Sequence, residues 1–169
     1  MVIFLIGFMG SGKSTISHFL ESYRGYERIE MDEKIETEEG MKISRIFAER
    51  GETYFRQLET ELLNKLEVKG DFVVSCGGGT AMREENVRIM KEKGVIVYLK
   101  ASPETVFGHV RYSRNRPLLD GRMNLEYITS LLEKRRPAYE AAAQVTVCTD
   151  GKKIHEIADE ILIAVRSFE

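Results

Sequence analysis

Short, nearly continuous apolar runs alternate along the chain with segments whose apolar side chains recur every three or four residues. Continuous runs are typical of strands buried on both faces of a parallel sheet, and the longer spacing is typical of amphipathic helices. The predicted strands are residues 2–6, 28–30, 72–76, 95–99 and 145–149. The predicted helices are residues 13–22, 43–49, 52–68, 84–93, 103–110, 125–140 and 153–168. This alternation predicts a doubly wound α/β domain, in which ligands bind beyond the carboxyl ends of the strands.

The segment directly after the first predicted strand, residues 7–14, fits the pattern G-x-x-x-x-G-K-[ST]. Glycines let the backbone fold back so that successive N–H groups point at one anion, and the following helix presents its positive N-terminal end. Lys13 would add a charge for the outer phosphates, and the Ser14 hydroxyl would bind Mg²⁺. A glycine turn that matches by chance is the alternative, but the strand and the helix stand where a phosphate loop needs them.

Asp32 follows the second predicted strand and is expected to begin a helix. As a helix N-cap, its side chain would accept hydrogen bonds from backbone N–H groups. Beside a phosphate loop, the same carboxylate would instead orient a substrate hydroxyl or accept its proton. We favour the second role because other candidate residues converge on the same edge of the predicted sheet.

Three consecutive glycines, 77–79, follow the third predicted strand. A stretch without side chains lets a ligand approach the backbone closely, and a flexible loop without a function is the alternative. The strand itself ends in Ser75 and Cys76, where phosphate-loop ATPases and GTPases usually carry an acidic residue linked to Mg²⁺. Motor-type and switch-type hydrolases therefore fit the sequence poorly.

Arg56 and Glu59 lie three residues apart in the helix predicted at 52–68, so they share one face. An exposed pair of this kind would stabilise the helix by only about 0.3 kcal/mol. The functional interpretation is that Phe47 and Phe55 form an apolar wall beside a carboxylate-binding Arg56, which Glu59 holds in place.

A second group of arginines surrounds Pro117, Leu118 and Leu119 and continues into the next predicted helix. A solvated basic face is the ordinary explanation for such a group. Phosphoryl transfer, however, needs positive groups on a movable flap that neutralises charge and excludes water, and an arginine-rich loop with Pro and Gly suits this task. The arginines are Arg111, Arg114, Arg116, Arg122, Arg135 and Arg136.

The composition bounds the remaining function classes. A chain of 169 residues is expected to form a single domain, and a net charge of −2 with a pI near 6.0 gives no basic field for nucleic acid. Cys76 and Cys148 lie in apolar runs and are expected to be buried, reduced thiols. The sequence shows neither a basic, cleavable leader nor an apolar run of transmembrane length, so we expect a cytoplasmic protein without a membrane partner.

Taken in order, these segments resemble the shikimate kinase family over nearly the whole chain. The matching motifs are the phosphate loop at 7–15, Asp32, G-E-x-x-F-R-x-x-E at 51–59, G-G-G at 77–79, R-P-L-L at 116–119 and R-x-P-x-Y at 135–139. The resemblance implies transfer of the γ-phosphate of ATP to the 3-hydroxyl of shikimate, in aromatic amino acid biosynthesis. It also implies a monomeric, three-layer α/β/α fold of the P-loop NTPase type, similar to nucleoside monophosphate kinases. Such a fold would have a five-stranded parallel sheet, a substrate-binding region at about 31–60 and a mobile lid at about 112–124.

The resemblance also implies roles for individual residues. The catalytic candidates are Lys13, Asp32 and Arg116. The candidates for binding shikimate, with the two arginines on its carboxylate, are Asp32, Phe47, Phe55, Arg56, Gly78, Gly79, Pro117, Leu118 and Arg135. The candidates for binding ATP are Gly10, Ser11, Gly12, Lys13, Ser14, Thr15, Arg111 and Arg116. Mg²⁺ would be held by Ser14, with Glu30 and Ser75 as candidates for contact through water.

Two positions depart from the family pattern. The second-strand motif is usually D-x-D, whereas this chain has Glu30 two residues before Asp32. A carboxylate one methylene longer can keep a water-mediated contact to the metal with altered geometry, so we expect activity to survive. Arg111 also lies closer to Arg116 than the adenine-contacting arginine of the family often does.

Three other functions share the phosphate loop. A gluconate-type kinase gives no reason for Phe55-Arg56 together with the motif at 116–119. A GTP switch needs N-K-x-D after a strand, and residues 64–67 only imitate that motif inside a predicted helix. A regulator without catalytic activity would have lost Lys13, Asp32 or the set of arginines, and all are present.

Overall fold

The computed structural model describes residues 1–111 and 124–169. Its centre is a sheet of five parallel strands in the order β2-β3-β1-β4-β5, which confirms the predicted α/β class. The strands are β1 (Val2–Ile6), β2 (Glu27–Glu30), β3 (Phe72–Ser75), β4 (Val95–Lys100) and β5 (Val145–Cys148). Every predicted strand is present, and the bounds differ by at most one residue.

Helices connect the successive strands, as parallel pairing requires. They are α1 (Lys13–Arg24), α2 (Met31–Glu39), α3 (Ile43–Arg50), α4 (Glu52–Lys65), α5 (Glu84–Lys93), α6 (Pro103–Val110), α7 (Leu125–Ala142) and α8 (Ile154–Val165). Short 3₁₀ turns occupy Thr80–Met82 and Arg166–Phe168. Within residues 1–111 and 124–169, none of the helices combines the length and the hydropathy that a membrane span requires.

Alternate residues of β1 face opposite sides of the sheet, and helices cover both sides. Ile3 and Leu5 pack in a core with side chains of α1 and α8. Phe4 and Ile6 pack in a second core with side chains of α4, α5 and α7. The result is the predicted three-layer α/β/α arrangement.

The edge strands are less buried than the sequence predicts. β1 is buried along its length and β4 up to Leu99, whereas Thr146 and Cys148 of the edge strand β5 are exposed. The prediction of a buried Cys148 is therefore wrong, because Cys148 lies on a strand at the edge of the sheet, where Val147 alone of the four strand residues is buried. Cys76 is buried as expected, and burial raises the pKa of its thiol well above the ordinary value.

β2 leads directly into α2 without a connecting loop. Glu30 is consequently the N-cap of α2, and Asp32 lies within its first turn. The interpretation of Asp32 as an N-cap is wrong, since the helix has already begun at Met31. Asp32 instead lines the cavities described below.

The strand register brings the ends of β1, β2 and β3 to one edge of the sheet. Leu5 of β1 and Glu30 of β2 both pair with Ser75 of β3. The phosphate loop, the start of α2 and the three glycines at 77–79 follow these strands, so they meet at the same edge.

Candidate active site

The phosphate loop lies between β1 and α1, as the sequence predicts. Gly7, Gly10 and Gly12 have φ values of 146°, 78° and 99°, which side chains disfavour. A Cβ atom at Gly10 would also lie 2.4 Å from Cγ1 of Val110. Since α1 begins at Lys13, its backbone N–H groups and its dipole favour an anion in this loop.

The Lys13 side chain folds back over the loop. Its Nζ donates hydrogen bonds to the carbonyl oxygens of Gly7 at 2.8 Å and Phe8 at 2.9 Å, and the residue is buried. A cation is thus held at the point where the outer phosphates of a nucleotide would bind.

A cavity of about 580 Å³ opens on this loop and extends toward the ends of β4 and β5. The predicted nucleotide contacts at its phosphate end are Gly10, Ser11, Gly12, Lys13, Ser14 and Thr15. Its far end is lined by residues that the sequence prediction omits: Thr105, His109, Thr149, Gly151, Lys152 and Ile154. Their only sequence signal is that they follow strands β4 and β5, whose carboxyl ends border the site.

A hydrogen-bonded junction holds the far end of this cavity together. Asp150 Oδ1 accepts a hydrogen bond from the Ser102 backbone N–H at 3.0 Å, and the Thr105 hydroxyl bonds the same carboxyl group. Burial alone would raise the pKa of Asp150, but these hydrogen bonds hold it below its ordinary value. The charged carboxylate therefore ties the β5–α8 connection to the β4–α6 connection.

His109 lines the nucleotide cavity, and Arg111 does not. His109 Nδ1 lies 2.7 Å from the Gly10 carbonyl oxygen, which holds the imidazole against the phosphate loop. Arg111 follows α6 directly and is exposed. Side chains two residues apart at the end of a helix do not share a face. The structure thus brings His109, rather than the predicted Arg111, into the cavity.

A second cavity, of about 380 Å³, adjoins the first. The predicted shikimate contacts that line it are Asp32, Phe47, Phe55, Arg56, Gly78, Gly79 and Arg135. The Phe47 and Phe55 rings, whose centroids are 5.1 Å apart, form the predicted apolar wall. The two cavities share Met9, Ser14, Glu30, Asp32, Gly77 and Gly78, so their contents would meet beside the phosphate loop.

Arg56 is held at the second cavity by a buried carboxylate. Its Nη1 donates to Oε1 of Glu59 at 2.7 Å, and the other oxygen of Glu59 accepts from the Thr80 hydroxyl. Glu59 is fully buried, which excludes the exposed-pair interpretation. Burial opposes the charge of Arg56, but the carboxylates of Glu59 and Glu52 outweigh it and raise its pKa above the ordinary value.

Arg135 approaches the same cavity from α7. Its guanidinium lies 5.8 Å from the Phe8 ring centroid, and its buried Nη1 has no hydrogen-bond acceptor among the described residues. Tyr139, one turn further along α7, donates from its hydroxyl to the Gly78 carbonyl oxygen at 2.5 Å. Burial raises the pKa of Tyr139 to about 12, so the hydroxyl keeps its proton for this bond. The sequence shows Tyr139 only as part of a motif and gives no sign of this contact.

The three glycines are required by the space around them. A Cβ atom would lie 2.7 Å from Oε2 of Glu59 at Gly77 and 2.5 Å from the guanidinium of Arg56 at Gly79. At Gly78 it would lie 3.3 Å from Nη1 of Arg135. The glycines therefore leave room for Glu59 and the two arginines beside the cavity, which favours the predicted binding role over a loop without a function.

Carboxylates and hydroxyls meet where the two cavities join. The Ser14 hydroxyl donates to Oε2 of Glu30 at 3.1 Å, and Asp32 lines both cavities. Ser75 is buried and lines the nucleotide cavity nearby. Within residues 1–111 and 124–169, no group of three or more His, Cys, Asp or Glu side chains could hold a metal ion alone. A metal at this point would therefore need ligands from a nucleotide or water.

Comparison with known proteins gives the family of this chain. The family model of shikimate kinase matches residues 9–166. The chain belongs to the shikimate kinase family. A shikimate kinase from Persephonella marina is 43% identical over 164 residues, which are 97% of this chain and 98% of the relative. The predicted family is confirmed.

Solved shikimate kinases share the whole fold. The shikimate kinase from Acinetobacter baumannii in complex with shikimate has a TM-score of 0.92 and 33% identity, covering 99% of this chain and 94% of that one. The shikimate kinase from Aquifex aeolicus has a TM-score of 0.83 and 37% identity, covering 99% and 98%. The P-loop kinase architecture predicted for the chain is therefore that of the family.

Several predicted shikimate kinase features lie outside the described residues. They are Arg116, Pro117 and Leu118, the neighbouring Arg114, Leu119 and Arg122, and the lid predicted at about 112–124, except Asn124. Asn124 is the N-cap of α7, and its side chain accepts a hydrogen bond from the Tyr127 backbone N–H at 2.8 Å. The lid and the role of Arg116 stay predictions.

Proposed function

We propose that the chain transfers the γ-phosphate of ATP to the 3-hydroxyl of shikimate, giving shikimate 3-phosphate and ADP for aromatic amino acid biosynthesis. The observation that carries this proposal is the convergence of Arg56 and Arg135 on a cavity that opens onto Asp32 beside the phosphate loop. Two guanidinium groups suit a carboxylate, the Phe47 and Phe55 wall suits the face of a carbon ring, and Asp32 suits hydroxyls.

The residues that line the nucleotide cavity support phosphoryl transfer, because they place positive charge beside the phosphate loop. The N-terminus of α1 and Lys13 would stabilise the negative charge of the transferring group, while the cavity toward His109 accommodates the nucleoside. Asp32 would orient the shikimate hydroxyl and accept its proton as the new P–O bond forms. Arg116, outside the described residues, is proposed to add a further positive charge.

The donors at the junction of the cavities fit Mg²⁺. Oxygen ligands are what this ion prefers, and it usually takes only one or two from protein, with nucleotide phosphates and water supplying the rest. Ser14 would contact it directly, with Glu30 and Ser75 acting through water. When bound, Mg²⁺ would neutralise charge on the phosphates.

The direct test is ADP release with Mg²⁺ and ATP, comparing shikimate, quinate, gluconate and nucleoside monophosphates as acceptors. We expect strong stimulation by shikimate, with ³¹P NMR showing the phosphate on the 3-hydroxyl. Equal release with every acceptor would contradict the proposal.

Changing Gly79 to Ala is expected to raise the KM for shikimate about tenfold with little change in the KM for ATP. The added carbon would lie 2.5 Å from the Arg56 guanidinium, which would have to shift within the cavity. Steady-state kinetics with each substrate varied would measure both constants. Gly108→Ala is the matched control, because Gly108 lies in α6 and, among the described residues, no atom outside the neighbouring backbone of that helix lies within 4 Å of the added carbon. An unchanged shikimate KM in Gly79→Ala would contradict the assignment of these glycines.

Changing His109 to Ala is expected to weaken ADP binding about fivefold, whereas Arg111→Ala should change it less than twofold. His109 borders the nucleotide cavity and contacts the phosphate loop, and Arg111 lies outside that cavity. Calorimetric titration of ADP into each variant would compare them. The reverse ranking would restore Arg111 as the contact.

A cytoplasmic location, a monomeric state and the absence of nucleic-acid or membrane partners stay predictions. The net charge of −2 supports the expectation about nucleic acid. Light scattering after size exclusion would test the oligomeric state.

A further inference from the structure

Ser17 contacts the carboxylate of Glu30 from inside the protein. It is fully buried in α1, and its hydroxyl lies 2.7 Å from Oε1 of Glu30. Arg28 Nη1 lies 3.3 Å from the same oxygen. The other oxygen, Oε2, accepts instead from the Ser14 hydroxyl. The two oxygens of Glu30 therefore face different partners.

The spacing of the two serines on α1 suits the reach of a glutamate. Ser14 and Ser17 are three residues apart in α1 and lie on one face, about one turn from each other. Glutamate reaches one methylene further than the aspartate of the D-x-D pattern. Glu30 uses this reach to contact both serines at once.

Ser17 has an alternative hydrogen-bond acceptor if Glu30 is removed, whereas Oε1 of Glu30 has no equivalent hydroxyl donor among the described residues if Ser17 is removed. The Ser17 hydroxyl also lies 2.9 Å from the Ser14 carbonyl oxygen, and its single proton can serve only one acceptor at a time. Without Glu30, Ser17 would still bond that carbonyl. Without Ser17, the remaining partner of Glu30 Oε1 among residues 1–111 and 124–169 would be Arg28, which is also bonded to Glu21. The position of the Glu30 carboxylate therefore depends on Ser17 more than the position of Ser17 depends on Glu30.

We propose that Ser17 is a positioning residue that, with Arg28, anchors one oxygen of Glu30 so that the other faces Ser14 and the metal of the bound nucleotide. Ser17 itself lines neither cavity. This inference rests on the proposed function, because it takes Mg²⁺ and nucleotide to bind at the junction of the two cavities. It explains how a glutamate serves at this position.

The test is the ratio of ADP affinity in Mg²⁺ to ADP affinity in EDTA, measured by calorimetric titration. We expect Ser17→Ala to lower this ratio about fivefold while the affinity in EDTA stays within about twofold of wild type. Glu30→Gln should lower the ratio further, and the double variant should match Glu30→Gln alone, because Ser17 acts only through Glu30.

Ser167→Ala is the matched control. Ser167 donates from its hydroxyl to the Ala164 carbonyl oxygen at 2.9 Å, the same short-range bond that Ser17 can form, but far from Glu30 in sequence and with no carboxylate contact among the described residues. This variant should keep the wild-type ratio. Circular dichroism melts would show that each variant is folded at the titration temperature.

Any one of three results with the variants would overturn the proposal. They are a wild-type ratio in Ser17→Ala, an equal loss of affinity in Mg²⁺ and EDTA, and additive losses in the double variant. Wild-type protein whose ADP affinity ignores Mg²⁺ would overturn the metal assignment and this proposal with it. Shikimate-dependent ADP release tests phosphoryl transfer separately, so failure of the proposed function would be recognised on its own.

Discussion

Lys13→Met is expected to lower kcat by about 100- to 1,000-fold, the range for a charge aimed at a transition state. Methionine keeps much of the aliphatic stem and removes the ammonium group that lies over the phosphate loop. The negative charge of the transferring phosphoryl group would then lose a stabilising cation in the transition state. Turnover should fall more than ADP binding, because the interaction is strongest in the transition state.

Steady-state kinetics and ADP titration together would measure this difference. Lys91→Met is a suitable control, since Lys91 is an exposed residue on α5 and lines neither cavity. A Lys13→Met variant that keeps kcat within tenfold of wild type would contradict a catalytic role. A large rise in the ATP KM with normal kcat would assign Lys13 to ground-state binding alone.

The strands could be predicted because their sequence signal is local. β1 and β4 pass through the centre of the sheet, and a strand covered on both faces must be apolar at consecutive positions. The phosphate loop could be predicted for a similar reason. Its backbone has positive φ values at positions 7, 10 and 12, which glycine adopts more readily than other residues, so the requirement appears directly in the sequence.

The helix bounds depended on distant residues. α2 buries only Met31 and Ile35 among many acidic residues, which leaves almost no periodic pattern to detect. α4 was predicted to reach residue 68, but it ends at Lys65. Lys93 Nζ donates to the carbonyl oxygens of Leu63, Asn64 and Leu66, and so satisfies the end of this helix from α5. Spacing within α4 gives no sign of that interaction.

The sequence predicted most of the residues that line the two cavities. It did not predict the long-range contacts that hold those residues in place. The pairing of Arg56 with Glu59 was visible because three residues separate them on one helix. The contact of Tyr139 with Gly78 joins positions 61 apart in sequence, and it forms because α7 packs against the 3₁₀ turn at Thr80–Met82 that follows these glycines. His109 was missed for a similar reason, since the turn of α6 decides which side chain enters the nucleotide cavity.

Arg135→Met is expected to weaken shikimate binding about 10- to 100-fold with ATP binding nearly unchanged, as the loss of a charged hydrogen bond implies. Arg135 is the better of the two arginines to change. Removing Arg56 would leave the buried carboxylate of Glu59 without its cation, which costs about 3–5 kcal/mol of folding free energy in comparable pairs. Arg135 Nη1 has no hydrogen-bond acceptor among the described residues, and the side-chain partner of the guanidinium is the neutral Tyr139 hydroxyl. Loss of Arg135 should therefore report mainly on substrate.

A change in the substrate can separate a direct carboxylate contact from a change in cavity shape. The methyl ester of shikimate lacks the negative charge, so wild-type protein should bind it about as weakly as Arg135→Met binds shikimate. Arg135→Met should then lose little more when the ester replaces the acid, because the partner of the carboxylate is already gone. Arg88→Met, at an exposed arginine of α5, should behave as wild type with both compounds. Equal losses on esterification in wild type and Arg135→Met would show that Arg135 does not bind the carboxylate, and the assignment of this cavity to a carboxylate would then depend on Arg56 alone.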